Sequence, residues 1–311
     1  MTRLLTVAGA QLGPIAKDEP RSAVVSRLVA LMREAHGHGA KLTVFPELAL
    51  TTFFPRWFIE DEAELDRYYE TEMPSRETAP LFAEAEKLGM AFVLGYAERE
   101  GATRYNTAIL VEGGRIVLKY RKVHLPGHAE HEPWRAFQHL EKRYFAVGDL
   151  GFPVVRALGG NMGLAICNDR RWPETYRVMG LQDVELIAIG YNTPLHNPPA
   201  PVHDALGLHH NTLVMQAGAY QNATFVVGVA KCGVEEGVMQ IGGSQIIAPS
   251  GETIAMATTL EDELIVARCD LDLCRSYKSS VFNFAAHRRP EAYGLITSRT
   301  GAVAPKEETE Q

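Results

Sequence analysis

Residues 161–174, NMGLAICNDRRWPE, constrain this chain more than any other stretch. Met162 to Ile166 is an apolar run of strand length, entered through Gly159-Gly160. The run stops at Cys167, and Asn168, Asp169, Arg170 and Arg171 follow. Trp172-Pro173-Glu174 then reads as a helix start, with proline in the first turn and an acid behind it. A cysteine is therefore expected on a strand-to-helix turn beside two arginines. Such a turn presents a side chain at the end of a buried strand. A helix N-terminus and nearby cations are expected to lower the thiol pKa, and the thiolate is the reactive form. Taken alone, the pattern also fits a buried, inert cysteine with two surface arginines.

Other apolar runs lead to polar residues in the same way. Leu4 to Ala10 reads as a buried strand rather than a signal peptide, whose apolar region it only just matches in length. Val24, Leu28, Leu31 and Ala35 mark a helix over 20–39. Lys41 to Phe45 is the next strand and delivers Glu47; by itself this residue could equally be a loop glutamate. The segment 51–76 is aromatic and acidic, and reads as a loop with a short helix beside a pocket, or as a flap or oligomer contact. A helix over 78–89 and a strand over 91–96 follow. Tyr105–Val111 and Arg115–Tyr120 form a hairpin across Glu112-Gly113-Gly114, and the second strand leads to Lys122. Val184 to Gly190 delivers Asn192 and Thr193. A helix over 204–221, a strand over 224–230, a hairpin over 245–257 and a strand over 264–268 complete the series.

With 311 residues, 46% of them hydrophobic, the chain can bury a large core. A net charge of −7 and the absence of a basic run argue against nucleic acid and anionic membrane partners. No apolar run approaches the length of about 18 residues needed to span a bilayer. The four cysteines, at 167, 232, 269 and 274, form no CxxC pair, which suits free thiols in a reducing cytoplasm. His124, His128 and His131 fit no standard zinc spacing, so no metal is expected; the 124–145 loop reads instead as a polar pocket lining that includes His139 and Glu141. The reading is one domain over 1–299 and a flexible polar tail over 300–311.

Glu47, Lys122 and Cys167 thus stand at the ends of three apolar strands. Hydrolysis of a C–N bond needs a nucleophile, a base for its proton and a cation for the developing oxyanion, and these three side chains can supply them. The motifs FPEL (45–48), RKVHLPG (121–127) and CNDRRWPE (167–174) resemble, in order, those of the carbon–nitrogen hydrolase (nitrilase) superfamily. TTFFPRW (51–57), FQHLEKRYF (137–145), GDLGFPV (148–154) and YNTPLHNPP (191–199) are similar to its N-carbamoyl-D-amino acid amidohydrolase subgroup. The likeness spans roughly residues 5–295.

The resemblance implies an α/β fold: a four-layer α-β-β-α sandwich of two mixed sheets with outer helices. It implies Glu47, Lys122 and Cys167 as catalytic triad, Glu141 as an assisting acid, no cofactor, and a homo-oligomer, dimer or tetramer. The implied substrate is a small N-carbamoyl amino acid. Arg170 and Arg171 are expected to clamp its carboxylate, since guanidinium forks fit carboxylates; for Arg171 a supporting salt bridge is the alternative. The resemblance also points to Asn168 as an oxyanion donor through its backbone and to Asn192, Thr193, His124 and His139 as pocket residues. Rival readings are an aliphatic amide, a nitrile or a β-ureido acid as substrate, a metal hydrolase using the loop histidines, and a non-catalytic protein of the same fold.

Overall fold

Both faces of the first strand are covered, which explains why its sequence is nearly continuous in apolar residues instead of alternating. In the computed structural model, which describes residues 2–135 and 137–305, this strand is β1 (Leu4–Gln11). Leu5 and Val7 join the core between two sheets, while Ala8 and Ala10 join a second core beneath helices. The first sheet also holds β2 (Leu42–Val44), β3 (Tyr69–Glu70), β4 (Ala91–Glu100), β5 (Thr103–Glu112), β6 (Arg115–Arg121) and β15 (Glu263–Asp270). Its order is β15-β1-β2-β4-β5-β6, with β3 beside β4. The second sheet holds β7 (Val154–Ala157), β8 (Gly160–Ile166), β9 (Leu186–Tyr191), β10 (Phe225–Ala230), β13 (Gln245–Ile247) and β14 (Thr253–Met256), in the order β14-β13-β10-β9-β8-β7. Both sheets are mixed: β1, β2 and β4 run parallel, as do β8, β9 and β10, and antiparallel strands flank each set.

Helices α1 (Arg21–Gly37) and α3 (Ala79–Leu88) cover the first sheet, and α1 buries Val24, Leu28, Leu31 and Ala35 as their spacing predicts. Between them in sequence lies the short α2 (Glu62–Asp66). After α4 (Glu141–Tyr144), helices α5 (Pro173–Gly180) and α6 (Gly207–Asn222) cover the second sheet through Tyr176, Met179, Met215 and Ala219. The result is the four-layer α-β-β-α arrangement.

The structure differs from the sequence reading in two places. A separate hairpin, β11 (Cys232–Glu235) and β12 (Val238–Ile241), was not anticipated. Residues Pro201–Leu206 form a 3-10 turn, so α6 begins at Gly207 and not at residue 204. Residues 300–305 are exposed and carry no helix or strand; the remainder of the expected tail, 306–311, lies outside the described residues. No helix among the described residues is long and apolar enough to cross a membrane.

Candidate active site

The ends of β2, β6, β8 and β9 deliver Glu47, Lys122, Cys167 and Asn192 to one place. All four are buried. Cys167 occupies the left-handed backbone region at φ 47°, an uncommon conformation for a residue with a side chain. Asp169 holds this turn. Its Oδ2 accepts from the Ile166 N–H at 3.0 Å and from the Tyr120 hydroxyl at 2.7 Å. Its Oδ1 accepts from the His124 N–H at 2.9 Å and lies 2.8 Å from His124 Nδ1.

Glu47 is gripped from both sheets. A Cβ on Gly95 would lie 2.6 Å from the Pro46 carbonyl oxygen, and one on Gly190 would lie 2.5 Å from the Glu47 nitrogen. Only glycine allows the Pro46-Glu47 backbone to thread between β4 and β9. The carboxylate accepts from three donors, which leaves Oε2 room for one more. Oε1 accepts from Lys122 Nζ at 2.7 Å and Asn106 Nδ2 at 2.8 Å, and Oε2 accepts from the Asn192 N–H at 2.8 Å. Asn192 Nδ2 also donates to the Glu47 carbonyl at 2.8 Å. Lys122 Nζ donates to Glu141 Oε2 at 2.6 Å, and Glu141 Oε1 lies 2.9 Å from His139 Nε2. Burial favours the neutral amine, but Cys167, Glu141 and Glu47 outweigh it and raise the Lys122 pKa. Burial likewise pushes Glu141 up, yet Lys122 and His139 hold it below the ordinary carboxylate value.

The thiol corrects the sequence expectation. Burial, reinforced by the Glu47 charge, raises the Cys167 pKa against the pull of Lys122 and Arg170. The turn at Cys167–Arg171 is a single 3-10 turn, and α5 begins only at Pro173, so the cysteine lacks an α-helix N-terminus of its own. The protonated Sγ donates to the Asn192 carbonyl at 3.3 Å.

The two arginines have different environments. Arg170 is buried, and its donors are engaged: Nε to Asn211 Oδ1 at 2.8 Å, Nη1 to the Cys167 carbonyl at 2.6 Å and Nη2 to Thr193 Oγ1 at 2.8 Å. Its guanidinium lies 4.4 Å over the Tyr191 ring. Arg170 therefore braces the turn and is not presented as a carboxylate clamp, and Thr193 supports it in place of lining a free surface. Arg171 is exposed and donates to Asn168 Oδ1 at 3.3 Å. Desolvation by the surrounding protein, then the neighbouring Arg170 charge, lower its pKa. Asn168 Nδ2 in turn donates to the His124 carbonyl at 3.1 Å.

The loop histidines diverge. His124 is held by Asp169 and stacks on Trp172 with 5.1 Å between ring centroids; His128 pairs with the Glu130 carbonyl; and His131 stacks on Phe58 at 3.9 Å. His139 remains at the site, edge-on to Phe53 at 5.5 Å.

The sequence matches the family described as carbon-nitrogen hydrolase over residues 6–279. The chain belongs to the carbon–nitrogen hydrolases. A nitrilase from Pyrococcus abyssi is 30% identical over 93% of this chain and 99% of its own length. An N-carbamoylputrescine amidase from Solanum lycopersicum is 30% identical over 96% of this chain and 97% of its own. The crystal structure of a carbon-nitrogen hydrolase from Helicobacter pylori G27 superposes with a TM-score of 0.83 at 21% identity, covering 96% of this chain and 99% of that one.

In this hydrolase, sequence reasoning passed over Asn106, Asp169, Tyr120, Tyr191 and Asn211. Each is buried; Asn106, Asp169, Tyr191 and Asn211 contact a predicted residue, and Tyr120 reaches the site through Asp169. Asn106 and Tyr120 lie within apolar strands, where a polar side chain needs a partner, and that was the available signal. Asp169 stood inside the quoted CNDRR motif without receiving a role.

Proposed function

We propose that this carbon–nitrogen hydrolase cleaves the ureido C–N bond of N-carbamoyl-D-amino acids, releasing the D-amino acid, ammonia and carbon dioxide. The observation that carries the chemistry is the fully buried contact of Lys122 with both Glu47 and Glu141, beside a cysteine on a left-handed turn. Glu47 takes the Cys167 proton as the sulfur attacks the carbamoyl carbon. A thiol kept protonated at rest needs such a base. Lys122 and the Asn168 backbone N–H stabilise the oxyanion; one such donor contributes about 3 kcal/mol. Glu47 then delivers the proton to departing ammonia, leaving a thiocarbamate on Cys167, and next activates the water that hydrolyses it. Asn192 Oδ1 is buried and has no donor among the described residues, so it is suited to accept a carbamoyl N–H. Arg171 is the cation that can meet a substrate carboxylate.

The relatives named for N-carbamoyl substrates, together with a citrullinase from Francisella tularensis at 27% identity, support a carbamoyl compound. The nitrilase relative keeps nitriles and simple amides as the second reading. The decisive test is release of ammonia and free amino acid from N-carbamoyl-D- and L-phenylalanine and methionine, with Cys167→Ala as control. D-selective release lost in the variant supports the reading; turnover confined to nitriles, aliphatic amides or β-ureido acids rejects it. Arg171→Ala is expected to raise KM about tenfold or more for the carboxylated substrate while leaving a neutral amide unaffected. An equal loss on both would remove the clamp.

The same reading includes a homo-oligomer and a cytoplasmic setting. Val178 and Leu181 on and beside α5, and Leu213 and Tyr220 on α6, are exposed apolar residues on one helical layer, suited to packing against a second copy. All four cysteines are free, as a reducing compartment favours. Sedimentation of the protein with and without Leu213→Glu tests the first point, and a monomer in both would reject it.

A further inference from the structure

A second buried ionic group lies behind the site and has no part in the mechanism above. Glu235, at the end of β11, is fully buried and accepts from four donors. Lys231 Nζ lies 3.0 Å from Oε2 and Arg56 Nη2 lies 2.9 Å from Oε1. The N–H groups of Phe53 and Ile15 complete the set at 2.8 and 3.1 Å. Arg56 also donates to the carbonyls of Phe53 and Glu235, and Lys231 Nζ to the carbonyl of Thr51. Two cations thus share one buried carboxylate, and the further acid acting on Arg56, Glu236, is exposed, so the buried members carry a net positive charge. Isolated buried charge is costly, so it must be balanced nearby.

The active site has the opposite surplus, because Lys122 stands between two carboxylates, Glu47 and Glu141. Lys231 is tied to both segments that hold Glu47. Its N–H donates to the Tyr191 carbonyl at 3.0 Å, immediately before Asn192, whose own N–H binds Glu47 Oε2. Its ammonium binds Thr51, four residues beyond Glu47. We propose that Lys231 is a positioning residue whose buried charge balances the surplus carboxylate of the active site and so sustains the ionised form of the Glu47–Cys167 couple. The proposal rests on Glu47 and Cys167 acting as base and nucleophile. Burial lowers the Lys231 pKa, while Glu235 and, more weakly, Glu47 oppose that fall.

The other charged groups facing the couple are Lys122 at the end of β6, Glu141 on α4 with His139 behind it, and Arg170 and Arg171 on the turn. Asp169, paired with His124 and Tyr120, lies beneath the turn. None of these is a hydrogen-bond partner of Lys231 or Glu235.

The test is alkylation of Cys167 by iodoacetamide across pH, located by peptide mass spectrometry, which needs no substrate. Lys231→Met leaves a neutral Arg56–Glu235 pair and is expected to move the alkylation midpoint up by about one pH unit. Glu235→Gln leaves two unbalanced cations and is expected to move it down by a similar amount. Opposite shifts support the proposal, since a purely structural role would slow alkylation in both variants without separating their midpoints. Shifts in the same direction, or an unmoved midpoint, overturn it. If Glu235→Gln does not fold, Lys231→Met decides alone by the direction of its shift. Opposite shifts in a protein that releases no amino acid from N-carbamoyl substrates would reject the proposed substrate and keep this inference. Absence of Cys167 alkylation in the unaltered protein would overturn both.

Discussion

The two buried ionic groups of this hydrolase use similar residues in opposite proportion. Around Lys122, one cation serves two carboxylates, and the group reaches solvent through His139, whose side chain is 30% exposed. Around Glu235, one carboxylate serves two cations, and the members are at most 3% exposed. Three of the four Glu235 contacts tie its hairpin to distant pieces of chain, the β1 exit at Ile15 and the aromatic turn Phe53–Arg56, while Lys231 lies four residues before it. The Glu47 contacts instead leave a carboxylate beside the Cys167 thiol, the pair proposed as base and nucleophile. The contrast teaches that burial and charge alone do not mark a catalytic group. The proposed roles rest instead on the thiol beside Glu47 and on the partly exposed His139 behind Glu141.

The largest break in the comparison comes from Lys122→Met. It strands two buried carboxylates and removes the cation proposed to stabilise the oxyanion. We expect a loss of about 3–5 kcal/mol in stability and at least about 10³-fold in kcat. Denaturant titration and turnover measure the two, and the stability loss should exceed that of Lys231→Met, which leaves Glu235 paired with Arg56. Gly190→Ala drives a Cβ to 2.5 Å from the Glu47 nitrogen and should displace the base. A fall of about 10²-fold in kcat, with KM less affected, is expected; an unchanged kcat would show that the Pro46-Glu47 segment is free to shift.

Arg170→Ala removes the brace from Asn211, Thr193 and the Cys167 carbonyl and leaves those acceptors buried. It should cost about 2–4 kcal/mol by thermal or denaturant melting. Loss of carboxylate affinity without loss of stability would return Arg170 to the clamp role. The smallest effect concerns Glu98, which burial alone would push up but which Arg121, Lys119 and Thr107 hold down at about 2. A folded-state pKa below the unfolded value stabilises fully above the ordinary carboxylate range. That contribution, about 2 kcal/mol, should disappear as pH falls from about 4.5 through about 2. Glu98→Gln should flatten this part of the stability profile. If it does not, the acid lability belongs to other carboxylates.

Much of the molecule was legible in sequence because strand length, helical spacing and glycine turns are local signals. Val24, Leu28, Leu31 and Ala35 announced α1, and Glu112-Gly113-Gly114 announced the β5–β6 hairpin. The β11–β12 hairpin was missed because Cys232–Glu235 offers no clean alternation; its hold on the fold comes from the Glu235 side chain. Arg170 and Arg171 are adjacent and chemically identical, so no sequence pattern separates them. Their environments do.

What the sequence determined by itself is which reactive groups stand at strand ends, since an apolar run that turns polar at Glu47, Lys122, Cys167 or Asn192 is written in consecutive residues. What only the tertiary structure decided is how those groups behave. Asn192 reaches Glu47 across 145 positions and Arg170 reaches Asn211 across 41. The thiol is held protonated because packing removes water from it faster than Lys122 and Arg170 can compensate. Desolvation and hydrogen-bond partners depend on what lies within a few ångströms in space, and for these residues those neighbours come from remote parts of the chain.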